Sequence, residues 1–514
     1  MRSASVFALA DDLSGAAEVA ALLMAPARSA RIALSGPPYA FAAPVVVADL
    51  DCRYREEAGE LVREALRHAG ERRVFVKIDS LLRGNLVATA AATLHTSAPH
   101  DAVVRDAAVC DAAVCEGGAC DAAVHDVAVR DAAVGEAGVR DASASLAPAG
   151  PAQASHLPAP ALVVLAPALP AAGRVTVGGV AYIGGLSLRE TRAWQVERRP
   201  APASVTEALG GVPSAIVPLA AVRAGHDTLV RTLAQTAGRI AVCDAETDSD
   251  LSAIVSAALA ADHRARFIGA GGLASALGRF LDAQPAIIAH ADAHPPIIVR
   301  ADAHPPIAPG SGTHHSITAR VDALPPAAPR MGALLPAGHG EGRTGARPLL
   351  VVVGTAEPGA AEQARLLLSY GAHPITLDAA TDLAATSAHR THLAQRLRQA
   401  LGQTTAATAT TATVVLTISG QAPPTAATTL ADLVGAALTG HTPAPDLVLT
   451  GGETARRVLD ALQVRELTPV AQIHHGAVHC LTPEGRSVVT RPGSFGERDS
   501  LVRIAAHLAT ERLT

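Results

Sequence analysis

Aromatic residues make up only 2% of this 514-residue chain, so its core must be built from aliphatic side chains. Lysine is scarcer still, with one copy against 41 arginines, and asparagine also occurs once. A basic surface interleaved with aromatics is missing and the net charge is −5, so nucleic acid is not expected as a partner. No apolar run is long and uninterrupted enough to cross a membrane, and none is expected to. No charged segment followed by an apolar one precedes the strand-like residues 5–10, so no signal peptide is visible. Six cysteines in so long a chain do not make a disulfide framework, and a reducing cytoplasm is the simplest compartment.

The two singletons fall in one stretch, Val76-Lys77-Ile78-Asp79-Ser80-Leu81-Leu82-Arg83-Gly84-Asn85. In a chain that otherwise uses arginine for its basic side chains, a retained lysine marks a place where a compact ammonium is needed and a guanidinium fork does not fit. Lys, Asp, Ser, Arg and Asn following an apolar strand read as a loop that binds anions and hydroxyls. An ordinary solvated turn is the plainer alternative.

The length allows two or three domains. Two segments stand apart from the rest. From Asp101 to Asp141 an acidic residue recurs at every fifth position, a period that keeps neither one face of a helix nor one face of a strand. Residues 101–150 are therefore expected to be a loose, low-complexity insert, and Cys110, Cys115 and Cys120 inside it look incidental. Residues 284–347 carry a ten-residue repeat with paired prolines, ADAHPPIIVR then ADAHPPIAPG, and are expected to form a linker. Its histidines lack the cysteines or carboxylates of a metal cage, so no metal site is expected there.

Elsewhere strand-like and helix-like segments alternate. Residues 6–10 lead to 15–24, 45–48 to 55–69, 74–78 to 87–94, and 240–242 to 250–261, with a further strand at 161–165. Beyond the linker, 349–353 lead to 360–370, 414–418 to 428–438, and 447–449 to 453–462. This alternation predicts an α/β fold of two domains, residues 1–283 and 348–514, with mostly parallel sheets flanked by helices. Ligands in such sheets sit beyond the carboxyl ends of the strands, and the polar clusters fall there. Asp11 and Asp12 leave the first strand and could cap a helix, act as general base or ligate magnesium. Leu449-Thr450-Gly451-Gly452-Glu453-Thr454 joins a strand to a helix whose free N–H groups suit phosphate. Arg491-Pro492-Gly493-Ser494-Phe495-Gly496 is a second glycine turn. With no Walker A motif and no G-x-G-x-x-G after a strand, a nucleoside triphosphate held by another kind of loop is favoured over a dinucleotide.

These motifs resemble those of the four-carbon acid sugar kinases. Asp11-Asp12-Leu13-Ser14-Gly15-Ala16 is similar to that family's D-D-x-T-G-A, and residues 77–85 to its K-x-D-S-T-x-R-G-N. Ala166-Pro167-Ala168-Leu169-Pro170-Ala171-Ala172-Gly173-Arg174 resembles P-A-F-P-x-x-G-R. Residues 243–248, Gly269-Ala270-Gly271-Gly272, Gly451-Gly452-Glu453-Thr454 and residues 491–496 complete the order. The resemblance implies an N-terminal sugar-acid domain, a C-terminal ATP domain and Mg2+. The activity would be phosphorylation of the terminal hydroxyl of threonate, erythronate or 3-oxo-tetronate, an alcohol-group phosphotransferase reaction. It sets Asp11, Lys77, Ser80, Arg83, Asn85 and Arg174 on the substrate side, with Lys77 and Arg83 holding the carboxylate and Asn85 and Ser80 reading hydroxyls. Asp12 or Asp79 would be the catalytic base. Thr355, Gly451, Gly452, Glu453, Thr454, Gly493 and Gly496 fall on the ATP side. Ser14, Leu81 and Arg491 depart from the family's Thr, Thr and Lys. The alternative is a non-catalytic sugar-acid or nucleotide-binding protein derived from such a kinase. A homodimer is left open.

Overall fold

The computed structural model describes residues 5–35, 41–96, 162–283, 347–402 and 412–511, apart from 195, 196, 198, 355, 356, 384, 385, 421, 422, 424 and 494. The two repeat segments and Thr355 therefore lie outside the described residues.

Eight short strands, rich in Val, Ile, Leu and Ala, build the sheet of the first lobe. They are β1 (Val6–Ala10), β2 (Ala30–Ala33), β3 (Val45–Asp49), β4 (Arg73–Lys77), β5 (Val163–Ala166), β9 (Ser214–Val217), β10 (Ile240–Cys243) and β11 (Arg266–Gly269). The strands run parallel in the order β2-β3-β1-β4-β11-β5-β10-β9. A separate antiparallel sheet holds β6 (Arg174–Val177), β7 (Val180–Ile183) and β8 (Leu186–Ser187). All five residues of β1 are buried, as a strand covered on both faces requires. The scarce phenylalanines concentrate here: Phe7, Phe75 and Phe267 are fully buried on β1, β4 and β11.

Helices α1 (Leu13–Leu23), α2 (Ala58–Arg67), α3 (Leu86–His95), α4 (Val205–Ala208), α5 (Leu219–Val222), α6 (His226–Ala234), α7 (Asp248–Ala261) and α8 (Gly271–Asp282) connect these strands. Small residues let them approach closely. A Cβ at Gly278 of α8 would overlap the Leu22 carbonyl of α1.

The second lobe repeats the plan. Its strands are β12 (Leu349–Val353), β13 (His373–Asp378), β14 (Thr413–Ser419), β15 (Asp446–Thr450), β16 (Glu466–His474), β17 (Ala477–Leu481) and β18 (Ser487–Arg491). Its helices are α9 (Pro358–Ser369), α10 (Ser387–Gly402), α11 (Ala426–Leu438), α12 (Gly452–Ala461) and α13 (Ser500–Glu511). β13, β14, β12, β15 and β18 are parallel, whereas β17 and β16 follow antiparallel. β16 then pairs antiparallel with β2, Glu466 opposite Ala33 and Leu467 opposite Ile32, so one fifteen-stranded sheet runs through both lobes.

Strand β1 lies between β3 and β4, so the chain leaves it toward one side for β2 and β3 and toward the other for β4. Such a switch point opens a crevice at the carboxyl ends of the strands. The loops after β1, β4, β5 and β11 all end there.

Among the described residues no helix is long and apolar enough to cross a membrane. The described cysteines, Cys52, Cys243 and Cys480, are buried and free.

Candidate active site

The crevice is a cleft of about 410 Å3, part of it open to solvent. Three acids line it, Asp12, Glu18 and Asp79, together with three cations, Arg53, Lys77 and Arg83. The charges are internally paired. Arg53 Nε and Nη2 donate to Asp11 at 2.8 Å each, and its Nη1 lies 3.0 Å from Asp12 Oδ2. Lys77 Nζ lies 3.2 Å from Glu18 Oε2. Arg83 Nε and Nη2 donate to Asp79 at 3.0 and 2.7 Å.

The local sequence explains each placement. Asp12 has extended backbone and caps α1, its Oδ1 accepting from Gly15 N at 2.8 Å. Lys77 ends β4 on the cleft side, and its stem passes Gly15 so closely that a Cβ there would sit 3.2 Å from Lys77 Cγ and 3.4 Å from Nζ. Burial opposes the Lys77 charge, but Glu18, Asp12 and Asp11 outweigh it and hold the ammonium above its ordinary range. Burial by itself would raise the Asp79 carboxyl. The Arg83 fork, helped by Arg53 and Lys77, reverses that and holds it far below the usual carboxylate range. Asp79 Oδ1 also accepts from Leu81 N at 2.9 Å.

The remaining residues named from the sequence divide into two groups. Ser80 lines the cleft and accepts from Arg174 Nη1. Arg174 lies over the Phe495 ring, 5.2 Å from its centroid, and has no carboxylate partner among the described residues. Burial lowers its guanidinium from the ordinary range. Arg174 thus stands behind two lining residues rather than lining the cleft itself, and Asp11 and Asn85 do not line it either. Asp11 orients Arg53, and burial raises its carboxyl against the pull of Arg53. Asn85 was expected to read hydroxyls. Instead its amide nitrogen donates to the carbonyls of Cys52 (3.2 Å) and Arg55, fastening the Arg53 loop to the Lys77 loop.

On the second lobe two turns leave neighbouring strands, for Thr450 of β15 pairs with Arg491 of β18. Gly451 has φ 95° and donates its N–H to Arg491 O at 2.9 Å. Gly452 faces the first lobe. A Cβ there would overlap Asp12 Oδ2 and stand 3.2 Å from Ser14 Oγ. Glu453 is exposed in the first turn of α12, whereas Thr454 is buried against Gly354. In the other turn, Gly493 O accepts from Arg491 Nη2 at 3.3 Å and Gly496 O from Gln363 Nε2 at 2.9 Å. Arg491, fully buried, also donates to Gln363 Oε1 and Phe495 O, so it shapes this turn rather than aiming a charge into the cleft. Burial lowers it to about 10. Pro492 and Phe495 of the same turn line the cleft beside Ser80 and Arg83, which the sequence reading, with its ATP-side placement, had not anticipated.

Among the charged and aromatic residues of the cleft, Arg53, Glu18 and Phe495 are those that sequence reasoning missed. Glu18 carried a signal, being an acid in the apolar stretch Ala16-Ala17-Glu18-Val19-Ala20. Arg53, one of 41 arginines, carried none.

Two family models match the chain, one described as a sugar-binding N-terminal domain over residues 6–277 and the other as a nucleotide-binding C-terminal domain over residues 350–501. The chain is 32% identical over 282 residues to D-threonate kinase of Cupriavidus necator, an alignment covering 52% of either chain. It thus spans about half the length of that curated relative in the match. In fold it is similar to a Salmonella typhimurium LT2 protein provisionally described as a tRNA synthase (17% identity, 98% of each chain, TM-score 0.62). It is likewise similar to a Haemophilus influenzae protein (16% identity, 99% of this chain and 100% of the other, TM-score 0.56). With both domain models matched in order and the motif series from Asp11 to Gly496 spread across them, the chain belongs to the four-carbon acid sugar kinase family.

Proposed function

We propose that the protein is an ATP-dependent sugar acid kinase that phosphorylates the terminal hydroxyl of a four-carbon acid such as threonate, erythronate or 3-oxo-tetronate. One observation carries this reading: the first turn of α12, from the nucleotide-binding lobe, abuts Asp12, from the sugar-binding lobe. Phosphoryl transfer needs a phosphate cradle and a proton acceptor brought together, and catalysis is then chiefly positioning and charge.

The residues of the second lobe fit a nucleotide's phosphates. Helix α12 starts on two glycines, and the first-turn amides of a helix have no intrahelical acceptors. Just before them the buried Thr450 Oγ1 has no hydrogen-bond partner among the described residues. The amides of Gly452 and the residues that follow would hold the phosphates, while Gly451, its own N–H engaged by Arg491 O, shapes the approach, with the Gly493 turn beside them. Among the described residues no group of three or more His, Cys, Asp or Glu could hold a metal. Mg2+ is commonly held by phosphates, water and one or two carboxylates, so it would travel with the nucleotide. ATP with Mg2+, when bound, supplies the phosphoryl group and neutralises its charge.

In this reading Asp12 accepts the proton of the attacking hydroxyl, and Arg53 fixes its orientation. Asp79 is the weaker base, because a carboxylate held so far below the working pH takes a proton poorly. Asp79 instead positions Arg83. The substrate carboxylate goes to Arg174 rather than to Lys77 and Arg83, whose charges Glu18 and Asp79 already answer. Ser80 reads a hydroxyl.

A coupled ADP-release screen of four- and five-carbon aldonic acids tests the reading. ADP release dependent on a four-carbon acid is expected, and Asp12→Asn should lower turnover by about 100-fold or more. No acid-dependent ADP release from the folded protein would overturn it.

A further inference from the structure

Helix α1 turns two polar side chains into the cleft one turn apart, and each keeps a buried atom unmatched. Glu18 is 5% exposed and Ser14 3%. Glu18 Oε2 faces Lys77, but Oε1 has no hydrogen-bond partner among the described residues, and neither has Ser14 Oγ. Both residues line the cleft with Asp12. Across from Glu18, Gly271 leaves the carboxylate its space, since a Cβ at that position would overlap Oε1. Buried polar atoms are nearly always satisfied, so two exceptions on one helix face, both in the cleft, point to groups that a ligand brings.

The chemistry of the two atoms narrows the ligand. A carboxylate oxygen only accepts, while a serine hydroxyl can accept or donate. Lys77 answers the charge of Glu18, so the space beside Oε1 suits a neutral donor and repels a substrate carboxylate. We propose that Glu18 and Ser14 form a hydroxyl-reading pair, and that Glu18 selects a sugar acid with a hydroxyl, rather than an oxo group, on an interior carbon. This rests on the sugar-acid reading above. An oxo group against Glu18 would set two acceptors face to face in a buried site and leave both unpaired.

Trp194, the single tryptophan, donates its Nε1 to Leu81 O at 2.8 Å in the loop that carries Asp79 and Arg83. Its fluorescence is expected to report sugar-acid binding with no ATP present, and KM values from ADP release give a parallel reading. The wild-type protein is expected to bind threonate or erythronate about 100-fold more tightly than 3-oxo-tetronate, because the oxo acid leaves a buried acceptor unpaired. Glu18→Gln, whose amide can donate as well as accept, should narrow that ratio to about tenfold or less. Ser14→Ala, which removes no charge and little volume, should weaken the hydroxy acids severalfold. Equal affinity of the wild-type protein for hydroxy and oxo acids would overturn the proposal. So would a folded Glu18→Gln protein with an unaltered ratio, or a Ser14→Ala protein with unaltered binding of the hydroxy acids. The broader reading fails separately, and this proposal with it, if no four-carbon acid changes either the fluorescence or ADP release.

Discussion

Gly452 and Asp12, 440 positions apart in sequence, meet so closely that a β-carbon on Gly452 would overlap the Asp12 carboxylate. The glycine therefore serves the seam between the lobes. Even the smallest side chain there would push α12 away from Asp12. Displacements of about 1 Å can cost about 100-fold in rate, so Gly452→Ala should lower turnover by one to two orders of magnitude. The obstacle lies on the first lobe, so ATP affinity should change less than turnover. Titration calorimetry with ATP beside the ADP-release rate checks this. Normal turnover in Gly452→Ala would show that the lobes do not need this contact.

Phe495 reaches from the second lobe to cover Arg174, which in turn donates to Ser80. A cation over an aromatic face gains about 0.5–2 kcal/mol. If Arg174 receives the substrate carboxylate, Phe495→Ala should raise KM for the sugar acid by about 2- to 30-fold and leave KM for ATP nearly unchanged. A shift in KM for ATP alone would return this turn to the nucleotide.

Much of this arrangement is written in the chain. Strands β1 and β12 are continuous apolar runs, and their boundaries agree with the expected 6–10 and 349–353. β2 is harder to see, for Ala30-Arg31-Ile32-Ala33 has only one large apolar residue and becomes a strand by pairing with β3 and with β16 of the other lobe. The antiparallel β16–β17 pair runs against the alternation that suggested a parallel sheet. Helix α10, Ser387–Gly402, is too rich in Arg, His and Gln to stand out as an apolar-striped segment. In the candidate site, the singletons Lys77 and Asn85 mark a stretch that borders the cleft, but only Lys77 faces it. The Asp244 motif proved to be scaffolding: its carboxylate accepts from Gly178 N (2.7 Å) and Gly179 N (2.9 Å), tying down the β6–β7 turn. Glu18 and Arg53 acquire meaning only from partners that the fold brings to them.

The Lys77–Glu18 pair has both side chains 7% exposed, so neither charge is well solvated. Removing one partner of a buried pair typically costs about 3–5 kcal/mol, because the other charge is left behind. Lys77→Met should lower the thermal midpoint by several degrees, and adding Glu18→Gln should restore part of the loss. Lys77→Arg keeps the charge, but Gly15 and Glu18 confine the ammonium too closely for a guanidinium, so activity should still fall. An Lys77→Arg protein with wild-type catalytic efficiency would remove the steric argument for the lone lysine.

A pH effect is expected at another contact across the lobes. Arg456 Nη1 lies 3.0 Å from Asp49 Oδ2, and Arg457 Nη1 lies 2.8 Å from Asp51 Oδ2. Burial pushes the Asp49 carboxyl up to about 7. Asp12 adds to the rise, and Arg456 and the Asp51 amide oppose it. In the unfolded chain the same carboxyl titrates at about 3.9. Between about pH 4 and 7 the folded protein thus keeps a proton that the unfolded chain has released, so this group's contribution to stability falls as pH rises through that window and levels off above it. Asp49→Asn cannot ionise, yet its amide oxygen can still accept from Arg456 and Asp51. The thermal midpoint of Asp49→Asn, measured against wild type, should therefore gain several degrees between pH 4.5 and 7.5. If the difference between the two proteins stays constant across that range, Asp49 is ionised throughout, and the Asp49–Arg456 contact is an ordinary ion pair.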